Sequence, residues 1–371
     1  MKESGWQKGG GWNLSVLRLF VSVLVLGFAI GGDGSAIAAD DSIGAACASD
    51  PSCVIVGNTH MLVWKSPEPR GIYVVCIHGL GLCARAYKPL AGELSRLGVD
   101  GYAVNVRGFG PDRNRPDREK LDCVDTVGDV CELLRSIRQK HPDERIILMG
   151  ESMGGALTIR IAAEHPELID GLVASAPAWK LHKLKRTAVK GVVELVLFPH
   201  SRPGPAGRGV MRQATTDTQL KEHWLKDPAH KLKLSLGEAT AFIGFIKKTD
   251  RYAREIEKPA LIVQGLNDRL VSARGVARLY RDMPSRNKTF LIAAQGEHLV
   301  LEEGLFSDAL IEKLSQWLDT TSASKEPHRE IVVIDAQELS EHQERHLEKL
   351  KKKAVFLKHA VGRTRVADSG D

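Results

Sequence analysis

Short apolar runs alternate repeatedly along this chain with longer stretches that have helical periodicity, and this alternation restricts the folds that the chain can adopt. The apolar runs are continuous, as expected of strands that are buried on both faces. They lie at 71–77, 102–106, 145–149, 171–175, 259–264 and 289–294. Helical patterns separate them at 84–97, 123–140, 156–164, 273–282 and 305–320. Strands that alternate with helices predict an α/β fold with a mostly parallel, doubly wound sheet.

Residues 178–258 interrupt this alternation and predict a helical cap inserted between two strands of the sheet. The whole chain has 52 Lys and Arg against 46 Asp and Glu, a net charge of +6. The insertion alone has 17 basic and 8 acidic residues, which is a net charge of +9. The basic character therefore belongs to the insertion, and we expect no nucleic-acid partner.

The N-terminus has the three parts of a secretory signal peptide within residues 1–39. Basic residues precede a twelve-residue apolar stretch at 19–30, and the small residues 36–39 follow it. A spanning helix needs about 20 apolar residues. The sequence therefore predicts a secreted or periplasmic protein. The alternative is a membrane anchor at this segment, and residues 40–54 form a short N-terminal segment before the folded domain.

An oxidising compartment would allow disulfides among the six cysteines. Cys47 and Cys53 flank a turn signal, and Cys47–Cys53 is the single pairing that we predict. Cys123 and Cys131 are eight residues apart on a predicted helix, about 12 Å along its axis, so they cannot bond to each other. Cys76 lies inside an apolar strand and is expected to be a core residue.

The sequence Gly150-Glu151-Ser152-Met153-Gly154 fits the nucleophile-elbow pattern G-x-S-x-G. An apolar strand ends immediately before it and a helical pattern begins immediately after it, which is the setting that the motif requires. Glycines are needed because the serine adopts strained backbone angles that bring neighbouring atoms close. Ser152 is therefore the predicted nucleophile.

A nucleophilic serine needs a base, and the base needs an acid that orients it, in the chain order Ser, Asp, His. Asp268 directly follows the carboxyl end of an apolar strand, where active sites of α/β sheets form. His298 follows the last predicted strand of the sheet. Asp268 and His298 are therefore the predicted acid and base.

The loop after the first long strand, His78-Gly-Leu-Gly81, predicts part of an oxyanion hole. The backbone N–H groups of Leu80 and Met153 are expected to bind the oxyanion. His78 precedes Ser152 in the chain and is expected to support this loop rather than to act as the base.

These motifs together resemble α/β-hydrolases of the monoacylglycerol lipase and lysophospholipase group, the serine aminopeptidase S33-type or Hydrolase_4 proteins. The resemblance covers about residues 55–320 and implies an α/β-hydrolase fold, a Ser152–His298–Asp268 triad and no cofactor. Relatives often have Arg-Gly-His-Gly where this chain has Arg107-Gly-Phe-Gly110, and His where it has Glu151. Both departures leave the substrate class open.

The function expected from these residues is hydrolysis of carboxylic esters through an acyl-enzyme, with monoacylglycerols or lysophospholipids as substrates. The alternatives are an aminopeptidase or amidase, a haloperoxidase-type hydrolase, or a non-catalytic protein that binds lipid or a partner. The basic cap suggests peripheral contact with an anionic membrane. The sequence leaves the oligomeric state open.

Residues 321–371 follow the hydrolase region as a C-terminal appendage. Residues 330–334 predict an added strand, and 335–338 resemble a capping box before a helix. An apolar stripe at Leu347, Leu350, Ala354, Leu357 and Val361 predicts that this helix docks on the body of the domain. His342 and His346 share a helix face, but HExxH is absent and no metal site is predicted. The last residues are predicted to be disordered.

Overall fold

The computed structural model describes residues 53–56, 59–182, 213–320 and 327–355, apart from residues 228, 232, 233 and 338. In this part of the chain one sheet contains nine strands in the order β1-β2-β4-β3-β5-β6-β7-β8-β9. Their bounds are β1 Cys53–Val56, β2 Thr59–Trp64, β3 Ile72–Ile77, β4 Asp100–Val104, β5 Arg145–Glu151, β6 Gly171–Ser175, β7 Ala260–Gly265, β8 Asn287–Ala293 and β9 His328–Ile334. Strand β2 is antiparallel to β1 and β4, and all other neighbours are parallel. The predicted doubly wound α/β fold is confirmed.

The described α-helices follow the strands along the chain. Their bounds are α1 Lys88–Arg96, α2 Cys123–Lys140, α3 Met153–Glu164, α4 Thr218–Lys226, α5 Leu236–Ile246, α6 Thr249–Ala253, α7 Ala273–Asp282, α8 Asp308–Thr320 and α9 Glu341–Ala354. The prediction of an α-helix at 84–97 is wrong for its first turn. Residues Ala84–Tyr87 form a 3-10 helix that precedes α1.

Helices cover both faces of the sheet, and the alternation of side chains along β3 shows why. Tyr73, Val75 and Ile77 face one apolar layer, which includes residues of α2, α3, α7 and α9. Ile72, Val74 and Cys76 face the opposite layer, which includes residues of α1 and α8. All six side chains are buried. Because both faces are covered, the strand is a continuous apolar run rather than an alternating one.

The described part of the insertion contains the helices α4, α5 and α6, joined by non-helical segments. Residues 183–212, which include several of the basic residues counted above, lie outside the described residues. The predicted signal peptide or anchor and the Cys47–Cys53 pairing also involve residues outside them. No described helix is long and apolar enough to cross a membrane. Cys76 is free and buried, as the sequence predicts, and Cys123 and Cys131 are not bonded to each other; both are free and buried as well.

The C-terminal strand and helix belong to the same folded body as the sheet. Strand β9 pairs in parallel with β8 along its full length, and Leu347, Leu350 and Ala354 of α9 are buried in the layer that contains α7. The predicted strand and docked helix are thus confirmed. Leu357 and Val361 of the predicted stripe, and the last residues, which are predicted to be disordered, lie outside the described residues.

The capping box expected at 335–338 is wrong. Helix α9 begins later, where Ser340 accepts a hydrogen bond from the Gln343 N–H and the Gln343 side chain contacts the Ser340 N–H. Asp335 instead has φ +54 and accepts a hydrogen bond from the Ser307 hydroxyl at 2.7 Å. A residue with left-handed backbone directly after β9 turns the chain and cannot start a helix.

We expect Leu350→Ala to lower the free energy of unfolding by about 2–5 kcal/mol, because Leu350 is fully buried and the change leaves a cavity. The exposed Lys352 of the same helix provides a control, and Lys352→Ala should change it by less than about 0.5 kcal/mol. Urea unfolding of both variants measures the difference. Equal stability of the two variants would show that α9 is not packed on the domain.

Candidate active site

Ser152 lies in a sharp turn between β5 and α3. Its backbone has φ 55° and ψ −111°, outside the regions that most residues adopt. The turn brings α3 so close to β3 that a Cβ added at Gly154 would lie 1.8 Å from the Ile77 carbonyl oxygen. The Ser152 N–H donates to the Ser175 carbonyl at 2.9 Å, which ties the turn to β6. The glycine spacing of the motif is therefore a requirement of backbone packing.

The structure brings the three predicted side chains together although the chain separates them widely. The distance from His298 Nε2 to Ser152 Oγ is 2.9 Å, and the distance from His298 Nδ1 to Asp268 Oδ2 is also 2.9 Å. The three residues follow the carboxyl ends of β5, β7 and β8. All three are buried, with 7% or less of their surface exposed.

Asp268 is held by four hydrogen bonds that leave its carboxylate little freedom. Its Oδ1 accepts from the N–H groups of Leu270 and Val271 at 2.7 and 2.9 Å. Its Oδ2 accepts from the Gln264 amide at 3.0 Å as well as from His298 Nδ1. Because Nδ1 donates to the carboxylate, Nε2 of the neutral imidazole is an acceptor and can take a proton from Ser152.

Asp268 and His298 change each other's pKa in opposite directions. Burial alone would raise the pKa of Asp268, but the charge and hydrogen bond of His298 outweigh it and lower that pKa. Burial alone would lower the pKa of His298, but the charge and hydrogen bond of Asp268 raise it, with a smaller contribution from Glu151. The imidazolium that forms on proton transfer is therefore stabilised by a fixed negative charge.

The loop after β3 lies against Ser152, since a Cβ added at Gly79 would be 3.6 Å from Ser152 Cβ. Neither the Leu80 N–H nor the Met153 N–H donates a hydrogen bond to another described residue. Met153 begins α3, where backbone N–H groups lack partners within the helix. The two predicted oxyanion donors are therefore unpaired beside the serine.

His78 supports this loop through two hydrogen bonds of its ring. Its Nε2 accepts from the Val106 N–H at 3.0 Å, and its Nδ1 donates to the Gly79 carbonyl at 2.8 Å. Burial lowers the pKa of His78 to about 4, so the ring stays neutral and both hydrogen bonds persist. Neither contact involves Ser152.

A model of one protein family, Hydrolase_4, described as serine aminopeptidase S33, matches residues 67–304. The chain belongs to this family. The matched range begins before β3 and ends before α8, so it includes Ser152, Asp268 and His298.

Relatives and solved structures of related proteins agree with the Hydrolase_4 assignment. The chain is 28% identical to a monoacylglycerol lipase of Mycolicibacterium smegmatis over 71% of this chain and 91% of that protein. It is 25% identical to a human monoglyceride lipase over 70% of this chain and 86% of that protein. A crystal structure of a soluble variant of Saccharomyces cerevisiae monoglyceride lipase has a TM-score of 0.60 at 22% identity, covering 74% of this chain and 96% of that one. The protein is an α/β-hydrolase related to monoglyceride lipases.

Several residues that contact the site carry no motif that predicts their role. Gln264 contacts Asp268, and Ser175 contacts the buried carboxylate of Glu151. Glu302 contacts the loop that contains Leu80. Glu151 was noted only as a departure from relatives, and Glu302 has no motif around it. No local signal in the sequence marks Glu302, which is followed directly by Glu303 and Gly304.

We expect Asp268→Asn to lower the pKa of His298, because the substitution removes the carboxylate charge that raises this pKa. An NMR titration of the imidazole ¹⁵N signals gives the pKa in each protein. Asp282→Asn removes an acid at the end of α7 that pairs with Arg281, and it should leave the His298 titration unchanged. An unaltered pKa in Asp268→Asn would contradict the electrostatic coupling inferred here.

Proposed function

We propose that the protein is a serine hydrolase that cleaves carboxylic esters through an acyl-enzyme, with Ser152 as nucleophile, His298 as general base and Asp268 as the orienting acid. The observation that carries this proposal is the continuous chain of hydrogen bonds from Ser152 Oγ through the imidazole to the Asp268 carboxylate. Its place at a strand–turn–helix elbow agrees with the arrangement of serine hydrolases built on this fold.

In the first step Ser152 Oγ attacks the acyl carbonyl while His298 Nε2 takes the hydroxyl proton. Asp268 stays ionised and stabilises the imidazolium. His298 then gives its proton to the leaving alcohol, and the acyl group remains on Ser152. In the second step water attacks the acyl-serine, with His298 again taking and returning the proton.

Negative charge develops on the carbonyl oxygen in both steps. The N–H groups of Leu80 and Met153 are the donors that we assign to this oxyanion, and such a donor typically contributes about 2.7–4 kcal/mol to lowering the barrier. Met153 adds the partial positive charge of a helix N-terminus. Both donors are fixed before the reaction, so little reorganisation is needed when the charge forms.

The substrates that we propose are monoacylglycerols or lysophospholipids. The names of the relatives support a monoacylglycerol, and the net charge of +9 on the insertion favours substrates at an anionic lipid surface. We also propose that the N-terminal segment directs the protein out of the cytoplasm. Amide and haloperoxidase-type substrates require the same three residues, so only a substrate panel separates these activities.

We expect Ser152→Ala to lower kcat on p-nitrophenyl butyrate by about 10⁴-fold or more, because the nucleophile is lost. The variant should also lose labelling by a fluorophosphonate probe, which reacts only with an activated serine. Ser66→Ala, at a half-buried position before β3, is the control and should keep both properties. Labelling that persists in Ser152→Ala would exclude this residue as the nucleophile, and an unlabelled native protein would favour a non-catalytic binding role.

A panel of substrates tests the lipid assignment on the native chain. We expect kcat/KM for a long-chain monoacylglycerol or a lysophospholipid to exceed that for an aminoacyl amide by at least about tenfold, a difference of 1.4 kcal/mol in transition-state binding. Release of fatty acid or amine measures each rate, and Ser152→Ala gives the background. A higher kcat/KM for the amide would contradict the ester assignment.

A further inference from the structure

Two buried glutamates, Glu151 and Glu302, link the loop after β3, the turn at Ser152 and the segment that follows His298. The proposed mechanism does not use either of them. Glu302 follows His298 by four residues and is fully buried. Its Oε1 accepts a hydrogen bond from the Gly79 N–H at 2.8 Å, across 223 positions of the chain. Gly79 immediately precedes Leu80, whose N–H is one of the two assigned oxyanion donors. Glu302 therefore contacts the backbone that orients this donor.

Glu151 immediately precedes Ser152 and is also fully buried. Its Oε1 accepts from the Val300 N–H at 2.9 Å and from the Ser175 hydroxyl at 2.5 Å. Its Oε2 accepts from the N–H groups of Leu301 and Glu302 at 3.2 and 3.0 Å. One carboxylate thus fixes the segment that follows His298 to the residue that precedes the nucleophile.

The two glutamates differ in what stabilises a negative charge. Four donors surround the Glu151 carboxylate, whereas Glu302 has one donor and its buried Oε2 has no hydrogen-bond partner among the described residues. Burial raises the pKa of both groups, and the charge of Glu151 raises the pKa of Glu302 further, to well above its ordinary value. The four donors favour a negative charge on Glu151, whereas the single donor and the unpartnered Oε2 favour the proton on Glu302.

The Glu302 carboxyl group has little free space around it. A Cβ added at Gly79 would lie 2.9 Å from Glu302 Oε2, so the carboxyl group packs directly against the Gly79 backbone. A neutral carboxyl group in this place needs its carbonyl oxygen to accept from Gly79. It does not need a charge. An amide of the same length can make the same hydrogen bond, whereas a shorter acid cannot reach it.

We propose that Glu302 is a positioning residue for the oxyanion hole. As a neutral acceptor for the Gly79 N–H, Glu302 holds the Leu80 N–H towards the reacting carbonyl. Glu151 in turn fixes the position of Glu302 relative to Ser152 and His298. This inference rests on the proposed serine-hydrolase function. It adds a residue outside the Ser152–His298–Asp268 set whose side chain acts on catalysis through the backbone of another loop.

Two substitutions of Glu302 separate the hydrogen bond to Gly79 from the acidic group itself. Glu302→Gln keeps the length and the acceptor, so kcat on p-nitrophenyl butyrate should stay within about threefold of the native value. Glu302→Asp keeps the acid but shortens its reach, so kcat should fall about 10- to 100-fold with little change in KM, as expected when a donor is displaced by about 1 Å. Glu312→Gln, on the exposed face of α8, is the matched control.

Affinity for a boronic acid distinguishes loss of the oxyanion hole from general damage, because its tetrahedral adduct with Ser152 places an oxygen at the oxyanion position. The affinity should fall in Glu302→Asp by about the same factor as kcat, and Glu302→Gln should restore both. Thermal unfolding confirms that each variant is folded. If Glu302→Asp does not fold, Glu302→Met, which keeps the length without the acceptor, takes its place.

The pH profile gives an independent measurement. The titratable groups that face Glu302 from the described elements are Glu151, Glu303, Cys76 and Tyr87, and those that face His298 are Asp268 and Glu151. Activity rises with pH as His298 loses its proton. Glu151→Gln removes a charge that raises the pKa of His298, so the acid limb of the plot of kcat against pH should move to lower pH. Glu302→Gln replaces a neutral group and should leave the limb in place.

The outcomes separate this inference from the proposed function. A native kcat in Glu302→Asp, or a loss in Glu302→Gln as large as in Glu302→Asp, would overturn the positioning role while Ser152→Ala is still inactive. An acid limb that shifts in Glu302→Gln would show that Glu302 is charged and would also overturn it. Full activity of Ser152→Ala would instead remove the proposed function itself.

Discussion

The close contact between α3 and β3 is the constraint on which the rest of the site depends. The Ile77 carbonyl occupies the space that any side chain at position 154 would need, and Ser152 has its strained backbone conformation in the turn that makes this contact. Such strain costs about 1–3 kcal/mol and persists only where the surroundings hold it. Here the Ser152 N–H is bonded to the Ser175 carbonyl of β6, and the Ser152 carbonyl accepts from Ala178 at 2.8 Å. The strained turn is thus fixed from both sides.

Two buried carboxylates, Asp268 and Glu151, then hold the histidine loop at the strained turn. Removing an ionised group from water is costly unless donors replace the water. Each carboxylate accepts four hydrogen bonds. Asp268 accepts two from backbone N–H groups of its own loop and two from the side chains of Gln264 and His298. Glu151 accepts three from backbone N–H groups of the loop after His298 and one from the Ser175 hydroxyl. These donors are satisfied only when the loops are in place, so the same charges that tune His298 also determine its position. Geometry and electrostatics at this site therefore have one physical origin.

The sequence predicts the parts of the site that depend on local backbone chemistry. Glycines around Ser152 report a tight turn, and Asp268 and His298 stand at the ends of apolar runs, where the topology brings loops together. It does not predict Glu302, because the Gly79 contact joins residues 223 positions apart and no local pattern marks it. The wrong capping box has a related cause: Asp335 has the right side chain, but its backbone is left-handed and its carboxylate accepts from Ser307 of another loop instead of capping a helix. The side-chain type alone predicts neither of these long-range contacts.

The C-terminal strand and helix reach the site through Asn267, the neighbour of Asp268. Asn267 accepts a hydrogen bond from the Gln343 side chain of α9 at 3.2 Å and donates its own amide to the Ala294 carbonyl at 3.2 Å. A half-buried hydrogen bond of this kind contributes about 1 kcal/mol, whereas burial of Leu347 and Leu350 contributes about 1.5–3 kcal/mol for each side chain. The main effect of α9 is therefore on the stability of the layer that contains α7. Its influence on the Asp268 loop is a smaller consequence of the same docking.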